Sequence, residues 1–429
     1  MRILHVVHQY PPNHLGGTEL YTQAMARRQA AAGHDVAVFC PEMGSGGNVT
    51  PIEESGVRVY RGGGRRRGRA SVFLSTLGAN KLSAAFDTIL SRERPDVVHL
   101  QHMMGLPVAI AGRLAAEGIP YVITLHDYWY GCANAQLLTN YDETICAGPD
   151  ARFTNCGRCA LARAGLPAPA ALAALIAPVM ARRNQALRPI FDGAAAVLAS
   201  TPFVRRAHAA MGFPSGRIRI LPLGADVSPV EIAIAHQTRR NLSPGRPFHI
   251  GYIGGLSRQK GVHHLIAAAN RLPPQVSLSI YGDLEAFPEY VAGLRAAAVH
   301  PAIRFRGPVG REGLWMALGE MDILVVPTLW YETYGLVVQE AFAAGVPVVA
   351  SRIGVMPDVV EDGVTGRLFP PGDVDSLSHL LLELAEHPEE IKRLRANAPA
   401  VMSMDDHAEQ LEAIYRAVAA NVSPTPDHR

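Results

Sequence analysis

Residues 323–351, with the sequence ILVVPTLWYETYGLVVQEAFAAGVPVVAS, indicate the fold class more clearly than any other stretch. An apolar run at 323–327 is followed by an aromatic and polar loop, and then by a helical pattern that ends at Gly345. A second apolar run follows at 347–351. Short apolar strands that alternate with helices are typical of a parallel sheet with helices on both faces.

The same alternation fills most of the chain. In the first half, apolar runs predict strands at residues 2–7, 35–40, 97–100, 121–124 and 197–199. In the second half, they predict strands at residues 248–252, 276–281, 303–306, 323–327, 347–351 and 365–369. The predicted fold is therefore α/β, with two doubly wound, Rossmann-like domains that face a central cleft. Because ligands of such sheets bind beyond the carboxyl ends of the strands, residues that directly follow a strand are the candidates for function.

The domain boundaries follow from where the alternation breaks. We expect an N-terminal domain at residues 1–225, with a cysteine-containing loop at 127–160. Residues 226–247 lack a strong period and are rich in Pro, Gly and polar residues, so they are interpreted as a linker. The second domain is expected at 248–405, and residues 406–429 are expected to form a terminal helix and a tail.

Composition and charge exclude several classes of protein. The 429 residues are 48% apolar and carry 40 Lys and Arg against 38 Asp and Glu, which gives a net charge of +2. A disordered or coiled-coil protein is excluded, and nucleic acid is not expected as a partner because the chain is not basic enough. Five cysteines in a chain of this length predict no disulfide framework and a reducing compartment.

The sequence predicts a cytoplasmic protein that can still touch a membrane. The first residues carry only a short apolar run, so no secretory signal is expected. The Ala-rich stretch 164–181 contains three prolines, which argues against a membrane-spanning helix. This stretch either packs on the N-terminal domain or lies on a bilayer surface. The arginine run at 65–69 is either a solvated loop or a surface for an anionic membrane or acceptor.

A glycine-rich, basic loop follows the strand predicted at 248–252 and leads into a helix. It contains three glycines and two cations: Gly254, Gly255, Gly261, Arg258 and Lys260. Glycines that let the backbone approach a ligand, with two cations at a helix N-terminus, are typical of a diphosphate site. The alternative is a solvated basic loop, but the strand–loop–helix context favours phosphate binding.

Two glutamates flank the start of the helix in the stretch quoted above. Glu332 precedes the helix at its positive end, and Glu340 lies about two turns inside it. Two such carboxylates can hold separate hydroxyl groups, while the N–H groups of Thr333, Tyr334 and Gly335 meet an anion. The alternative is a helix-end charge at Glu332 and a solvated Glu340. Because Glu340 lies in an otherwise apolar run, its carboxylate is expected to need a hydrogen-bonding partner.

Two adjacent glycines, Gly16 and Gly17, follow the first predicted strand. They precede a helix expected at 19–32, with Thr18 as its cap. Two glycines let the backbone approach a ligand closely, and the helix start beyond them offers free N–H groups. A plain tight turn is the alternative interpretation.

His126 and Asp127 directly follow the strand predicted at 121–124. The position suits a residue of the ligand site, where the imidazole either hydrogen-bonds a ligand hydroxyl or stabilises developing positive charge through its environment. The alternative is a structural pair in which Asp127 caps the following segment.

Four of the five cysteines fall within 28 residues, in a loop-like segment rich in Gly, Asn and Asp: Cys132, Cys146, Cys156 and Cys159. The last two form a CxxC pair. Three interpretations stay open: a structural zinc that orders the loop, a redox disulfide, and unlinked thiols. The first spacings are longer than those of standard zinc ribbons.

Residues 252–261, 330–351 and 354–372 together resemble the retaining glycosyltransferases of family 4, which have the GT-B architecture. The resemblance extends over nearly the whole chain. Its most specific block has Glu332, seven intervening residues and Glu340, followed by Ala-Gly-Val-Pro-Val-Val. The glycine pair and the His-Asp pair of the first domain also fit the family.

The resemblance implies roles for the candidate residues of the second domain. Glu340 would bind the ribose hydroxyls of a nucleotide. Glu332 and the backbone of residues 333–335 would hold the donor sugar, and Lys260 would bind the diphosphate.

In the first domain, the resemblance implies that His126 contacts the donor sugar near the reacting carbon. The Gly16-Gly17 loop would line the junction of donor and acceptor. The terminal helix would cross back onto the first domain.

The chain departs from the family pattern at one position. The family often has Arg directly after the glycine that is Gly254 here, whereas this chain has Gly255. Arg258 is expected to supply the second positive charge instead. A second feature, Asp373-Val374-Asp375, has the spacing of metal-dependent sugar transferases, but it starts a helix, so Asp373 is expected to be that helix's cap.

The resemblance implies a hexosyltransferase-like enzyme. It would move a sugar from a nucleotide diphosphate sugar to a hydroxyl of a glycan or lipid-linked acceptor, with retention of configuration and without a catalytic metal or other cofactor. The expected setting is the synthesis of a cell-surface polysaccharide or glycoconjugate, at the inner face of the cytoplasmic membrane. The alternatives are a sugar-nucleotide epimerase of the same fold, a dinucleotide-dependent oxidoreductase, and a non-catalytic sugar-binding module. The usual G-x-G-x-x-G of such oxidoreductases is missing after the first strand.

Overall fold

The computed structural model of the chain describes residues 1–43, 50–64, 73, 76, 81–243 and 245–421. The arginine run at 65–69 lies outside these residues. The chain divides into two compact units. The first comprises Met1–Gly224 and the C-terminal segment from Met404, and the second comprises Ala225–Ser403.

The described part of the first unit contains one sheet of eight strands: β1 (Arg2–Val6), β2 (Asp35–Met43), β3 (Pro51–Glu54), β4 (Val57–Gly64), β5 (Val97–Leu100), β6 (Tyr121–Leu125), β7 (Ala196–Ala199) and β8 (Ile218–Ile220). Their order across the sheet is β3-β4-β2-β1-β5-β6-β7-β8. Neighbouring strands are parallel, except that β3 pairs with β4 in the antiparallel sense. Every residue of β5, β6 and β7 is buried, as expected for strands covered on both faces.

Helices connect these strands: α1 (Gly17–Ala31), α2 (Lys81–Glu93), α3 (Ala109–Ala116), α4 (Thr154–Arg163), α5 (Ala170–Gly193) and α6 (Pro202–Ala210). Helix α5 packs closely on α4, and a Cβ added to Gly157 would lie 2.3 Å from the Ala173 carbonyl oxygen. Because Ala173, Ala177 and Met180 are buried, the stretch at 164–181 packs within its own unit. In the described part of the chain, no helix combines the length and the apolar content needed to cross a bilayer.

The second unit contains a parallel sheet with the strands β9 (Phe248–Ile253), β10 (Val276–Tyr281), β11 (Ile303–Gly307), β12 (Ile323–Val326), β13 (Val348–Ser351) and β14 (Gly366–Phe369). Their order is β11-β10-β9-β12-β13-β14. The helices of this unit are α7 (Pro229–Arg240), α8 (Val262–Ala269), α9 (Pro288–Ala297), α10 (Arg311–Glu320), α11 (Leu336–Ala343), α12 (Met356–Val359), α13 (Val374–Glu386) and α14 (Pro388–Ala396). The core lies between the sheet and these helices, where Ile250 and Ile280 join Leu265, Leu377 and Leu381 in one buried cluster.

The C-terminal helix α15 (Met404–Ala420) packs against α1 and β5 of the first unit. Two buried polar contacts fix it there. His407 Nε2 lies 2.5 Å from the Tyr21 hydroxyl, and the Tyr415 hydroxyl lies 2.5 Å from His99 Nδ1.

The predicted fold class, α/β with two Rossmann-like units, is confirmed, and each predicted strand occurs within three residues of its predicted ends. The hairpin of β3 and β4 was not predicted, and neither was the edge strand β8. Hairpin strand β3 carries two glutamates and is largely exposed, so it lacks the apolar run by which the other strands were recognised.

Two local predictions were wrong. The segment 226–247, expected to be a linker, contains α7, which begins with a capping box between Ser228 and Glu231. Only Ala235 of this helix is fully buried, so the sequence has almost no apolar period there. The first helix begins at Gly17 with Gly16 at its N-cap position, so Thr18 lies inside the first turn and is not the cap.

Candidate active site

The strand order of the second sheet reverses between β9 and β12. From β9 the chain adds β10 and β11 on one side, and from β12 it adds β13 and β14 on the other. The carboxyl ends of β9 and β12 therefore form the switch point of the sheet, where the connections diverge and leave a crevice for a ligand. The two loops that leave these strand ends are the ones predicted from the sequence to bind the donor.

The two loops are in direct contact. The Leu329 N–H donates a hydrogen bond to the Gln259 carbonyl oxygen over 2.8 Å. Gly261, at the start of α8, has a φ of 72°, and a Cβ on it would lie 1.8 Å from the Pro327 carbonyl oxygen. Only glycine fits this backbone conformation and this close approach. Gly261 therefore keeps the loops after β9 and β12 together.

Lys260 and Glu332 meet where these loops touch. Lys260 Nζ lies 2.6 Å from Glu332 Oε1, and the Trp330 indole N–H donates to the same oxygen over 2.8 Å. The ammonium also lies 5.2 Å from the centre of the Trp330 ring. The side chains of Lys260 and Glu332 are 28% and 15% exposed, so water still reaches the pair. The sequence assigned separate roles to these two residues and did not predict their contact.

Residues 333–335 lie just before the first turn of α11. Gly335 is the N-cap residue of this helix and has a φ of 75°, and Tyr334 is buried. The positive end of the α11 dipole thus begins three residues after Glu332. It adds to the positive potential of the switch point.

Glu340 lies in the second turn of α11 and is half-buried. Burial raises the pKa of its carboxyl from 4.5 to about 7; Arg311 opposes this shift, and Glu231 and Asp226 reinforce it. Arg311 is engaged elsewhere, with Nε 2.7 Å from a Glu231 oxygen and Nη1 3.0 Å from an Asp226 oxygen. No described residue donates a hydrogen bond to the Glu340 carboxylate, so the partner that the sequence predicted is not found among them.

The glycines of the loop after β9 differ in their surroundings. A Cβ added to Gly282 would lie only 2.3 Å from the Gly254 carbonyl oxygen, so the two backbones approach closely. Gly255 is exposed, accepts a hydrogen bond from the Tyr252 hydroxyl over 2.7 Å, and has open space where a Cβ would stand. Arg258, in the short helical turn that ends at Lys260, is exposed as well.

In the first unit, His126 lies just past the carboxyl end of β6. Its Nε2 lies 2.7 Å from Gln101 Oε1, and because an amide oxygen only accepts, Nε2 carries the proton. Burial, together with the neighbouring His102, lowers the pKa of His126 to about 3. The imidazole is therefore neutral near pH 7, with Nδ1 as a hydrogen-bond acceptor.

Asp127 orients a different histidine. One carboxylate oxygen lies 2.6 Å from His102 Nε2, and the other accepts the Trp129 N–H over 2.8 Å. Although burial opposes it, the nearby His102 and these hydrogen bonds hold the pKa of Asp127 below its ordinary value. Asp127 is thus a positioning residue for His102 and for the turn at Trp129, as in the capping alternative.

The sequence did not single out Gln101 or His102. Both follow β5, which is adjacent to β1 at the switch point of the first sheet. The His102 ring packs against His8, which follows β1, with a centroid distance of 4.1 Å. The sequence carried a signal for both residues, because each is a polar residue that follows a buried strand.

The Gly16-Gly17 pair forms the start of α1 and is exposed. The nearest charge is negative, since a Cβ on Gly16 would lie 2.4 Å from a Glu19 carboxylate oxygen. Glu19 in turn lies 3.4 Å from His8 Nε2. A carboxylate this close to the start of α1 disfavours an anionic group there.

The four clustered cysteines are free thiols that line one cavity of about 870 Å³ in the first unit. Burial raises the pKa of the Cys146 and Cys156 thiols and brings that of Cys159 to about 11. Within the described residues, no three His, Cys, Asp or Glu side chains already stand in a metal-binding arrangement.

Asp373 accepts the Ser376 N–H and caps α13, as predicted.

Two family models match the chain and together span most of it. The model for glycosyl transferases group 1 matches residues 234–401, and the model for the glycosyl transferase 4-like domain matches residues 16–224. Their boundary falls close to the division between the two structural units.

Curated relatives include a glycogen synthase of Mycobacterium tuberculosis, 27% identical over 93% of this chain and 89% of that protein. An alpha-maltose-1-phosphate synthase of the same species is 28% identical over 90% of this chain and 88% of that protein. An MMP alpha-(1->4)-mannosyltransferase of Mycolicibacterium hassiacum is 34% identical, but the match spans only 38% of this chain and 41% of that protein.

Solved structures with the same fold include sucrose-phosphate synthase from Thermosynechococcus elongatus, with a TM-score of 0.72 and 22% identity over 97% of this chain and 99% of that chain. Anabaena HepE in complex with UDP and glucose has a TM-score of 0.65 and 20% identity over 97% of this chain and 100% of that chain. The two family models favour a glycosyltransferase over the oxidoreductase and epimerase alternatives. The chain belongs to the group 1 glycosyltransferases of the family 4 type, with GT-B architecture.

Proposed function

We propose that this chain is a retaining, hexosyltransferase-like enzyme that moves a sugar from a nucleotide diphosphate sugar to a hydroxyl of a glycan or lipid-linked acceptor. The observation that carries the proposal is the contact of Lys260 with Glu332 at the switch point of the second sheet. Arg258 lies two residues before Lys260 in the same turn, and α11 begins shortly after Glu332, so two cations and a helix start are available for an anionic diphosphate.

Glu340 binds the ribose hydroxyls of the donor in this proposal. Its carboxylate is half-buried and receives no hydrogen bond from the described residues, and an unpaired buried carboxylate is costly. Two vicinal hydroxyls would supply two donors to its two oxygens. Binding would then stabilise the ionised form and lower the pKa that burial has raised.

Glu332 and the backbone of Thr333, Tyr334 and Gly335 hold the donor sugar, while Lys260 contacts the diphosphate. Because Lys260 and Glu332 neutralise each other without the donor, the incoming phosphate exchanges one anionic partner of the lysine for another. The lysine is thereby oriented before the donor arrives, which reduces the reorganisation needed during the reaction.

His126 contacts the donor sugar near the reacting carbon, and the Gly16-Gly17 loop lines the junction of donor and acceptor. A neutral imidazole whose Nε2 is held by Gln101 presents Nδ1 as an acceptor for a sugar hydroxyl. The neutral ring is therefore suited to hydrogen-bond a sugar hydroxyl, the first of the two functional interpretations of His126.

Transfer breaks the bond between the anomeric carbon and the diphosphate oxygen and forms a bond from that carbon to the acceptor oxygen. The acceptor attacks the anomeric carbon on the same face from which the diphosphate leaves, so the configuration at that carbon is retained. An oxygen of the leaving diphosphate accepts the hydroxyl proton of the acceptor. Lys260, Arg258 and the helix start stabilise the negative charge on the leaving group, which is electrostatic catalysis without a metal requirement.

A peripheral contact with the inner face of the cytoplasmic membrane fits a role in cell-surface polysaccharide or glycoconjugate synthesis. Helix α5 exposes Leu172, Leu175 and Val179 at the spacing of one helical face, and Arg182 is exposed one turn further on. Apolar residues beside a cation favour an anionic bilayer surface. We expect the protein to bind anionic but not neutral vesicles, and Leu172→Glu/Leu175→Glu to lose this binding.

The proposed donor site is tested by a thermal-shift screen of uridine, guanosine and adenosine diphosphate sugars. A ligand present at 100 times its Kd stabilises the folded state by about 2.7 kcal/mol, so one base class should raise the midpoint clearly. The shift should disappear in Glu340→Ala. No shift with any nucleotide sugar, or an equal shift in Glu340→Ala, would count against this assignment.

A further inference from the structure

The four clustered cysteines converge on one place in the first unit. Cys132 follows the turn after β6, Cys146 lies in the loop that follows, and Cys156 and Cys159 lie in the first two turns of α4. All four line the cavity of about 870 Å³.

Backbone and side-chain amides are directed at two of the sulfurs. The Gly148 N–H and the Asn155 amide donate to Cys146 Sγ over 3.4 and 3.6 Å. The Asn140 N–H donates to Cys159 Sγ over 3.4 Å. Such N–H···S contacts strengthen when the sulfur is a thiolate, because hydrogen bonds to ionised acceptors are stronger. The positive end of α4 favours anionic sulfur at Cys156 in the same way.

The CxxC pair is held in place by the packing of two helices. Gly157, between Cys156 and Cys159, allows the Ala173 carbonyl of α5 to approach so closely that a Cβ would lie 2.3 Å from its oxygen. Helix α5 also carries Arg183, which lines the cysteine cavity. The two helices therefore fix the pair and a cation beside one cavity.

Arg183 is the independent indication that a negative charge belongs in this cavity. The side chain is 1% exposed, and its hydrogen bonds reach only neutral acceptors, the Trp129 carbonyl at 2.5 Å and the Asn184 amide oxygen at 2.8 Å. Among the described residues, no carboxylate forms an ion pair with it. The guanidinium lines the same cavity as Cys132 and Cys156. A buried cation without an anionic partner is costly.

We propose that Cys132, Cys146, Cys156 and Cys159 bind one structural Zn²⁺. Binding replaces four S–H bonds by four Zn–S bonds and releases four protons, without any change of oxidation state. The resulting centre has a net charge of −2 and supplies the anion that Arg183 lacks. Because the sulfurs do not yet stand in a coordinating arrangement, the thiol side chains rotate toward the metal as it binds. Four thiolates in tetrahedral geometry suit Zn²⁺.

The centre would join the loop after β6 to the start of α4, and so would fix the long connection that follows His126. That connection has little regular structure besides an isolated bridge between Leu138 and Ile145. A metal that closes such a segment contributes to folding free energy. The zinc site does not depend on the transferase assignment, since none of its ligands is a proposed donor residue.

The test begins with the metal content of the full-length protein purified without added metal. One zinc per chain is expected by elemental analysis, and a mercurial should displace it as mercury binds the four cysteine sulfurs. Replacement by Co²⁺ should give intense tetrahedral d–d bands and sulfur-to-cobalt charge transfer. Cys156→Ser and Cys159→Ser should each lose the metal, whereas the matched control Cys40→Ala, whose thiol is buried in β2, should keep it.

The wild-type measurement stands even where a variant fails to fold. If the purified native protein contains no metal and its four thiols react freely, the proposal is overturned. A protein mass below that of the all-thiol chain would indicate disulfides and would also overturn the proposal. So would stoichiometric iron, recognised by its visible charge-transfer absorption. A Co²⁺ spectrum of octahedral oxygen ligation would also overturn it.

Discussion

Lys260 Nζ lies 2.6 Å from Glu332 Oε1, and this ion pair joins the loops that leave β9 and β12. The two residues are 72 positions apart in sequence. They meet because their strands are neighbours at the one place where the order of the second sheet reverses. A cation that is already oriented by a carboxylate and an indole is suited to receive a diphosphate with little rearrangement.

Removal of the Lys260 ammonium should lower transfer much more than stability. Lys260→Ala is expected to reduce kcat roughly 100- to 1,000-fold, by analogy with the loss of one group that stabilises charge in a transition state. The free energy of unfolding should change by less than about 1 kcal/mol, because the ion pair is partly exposed. Steady-state kinetics and chemical denaturation measure the two effects.

The matched control for this variant is Lys392→Ala. Lys392 lies on α14, outside the switch point, so the loss of its ammonium should leave kcat unchanged. Wild-type turnover in Lys260→Ala at saturating donor would contradict the assignment of the diphosphate site.

The Glu340 carboxylate should matter for affinity more than for folding. Glu340→Ala is expected to weaken donor binding about 10- to 100-fold, which corresponds to hydrogen bonds to a charged group worth about 1.5–3 kcal/mol. Glu340→Gln should lose less, because the amide still accepts a hydrogen bond. Isothermal titration with the donor identified by thermal shift gives the Kd values. Equal affinity in all three proteins would show that the ribose is held elsewhere.

The raised pKa of Glu340 gives a pH dependence with a defined sign. The folded protein holds a proton between pH 4.5 and about 7 that the unfolded chain has released, so the free energy of unfolding falls as pH rises through this window. The fall attributable to Glu340 should be roughly 1–3 kcal/mol. Glu340→Gln should remove this part of the pH dependence, which denaturant titrations at several pH values can measure.

Donor affinity should change in the opposite direction over the same range. Because ribose hydroxyls bind the ionised carboxylate, the affinity is expected to fall as the pH drops below about 7 and Glu340 takes up a proton. An intact nucleotide sugar serves as the ligand, and Glu340→Gln serves as the control with a flat profile. Identical pH profiles for the wild type and Glu340→Gln would refute this link.

Gly255 is the position at which a gain of function is expected. A Cβ there has open space, and the residue is exposed on the loop that contains Lys260. Gly255→Arg should add a second guanidinium for the diphosphate and lower the donor Kd roughly 10-fold, since a charge-assisted bond outweighs the side-chain entropy it costs. Gly255→Ala is the neutral control. Unchanged or weaker binding in Gly255→Arg would mean that the diphosphate does not approach this loop.

Transfer should not require a catalytic divalent metal. Initial rates are expected to be the same with EDTA and with added Mn²⁺, because Lys260, Arg258 and the start of α11 supply the positive charge. Rates are measured within minutes of adding EDTA, before slow loss of a structural zinc can act. A chemical step that depends on Mn²⁺ would argue for a different mechanism.

The fold was predictable because buried parallel strands leave continuous apolar runs, such as 323–326, that need no long-range information. The candidate donor loops were predictable for the same reason, since each directly follows such a run. The contact between Lys260 and Glu332 was not, because it depends on the order of strands in the sheet. Helix α7 was missed because only Ala235 is fully buried, so the helix leaves almost no apolar period.

The role of Asp127 also required three dimensions. In sequence it is paired with His126, yet its carboxylate holds His102, which comes from the loop after β5. His126 is instead held by Gln101 from that same loop. The parallel neighbours β5 and β6 bring these side chains together, and no local pattern distinguishes the two pairings.

A crystal structure with the bound nucleotide sugar tests the central claim most directly. We expect the diphosphate within hydrogen-bond distance of Lys260 Nζ and the ribose hydroxyls within hydrogen-bond distance of the Glu340 carboxylate. A donor bound away from the carboxyl ends of β9 and β12, with Lys260 still paired only to Glu332, would contradict the account.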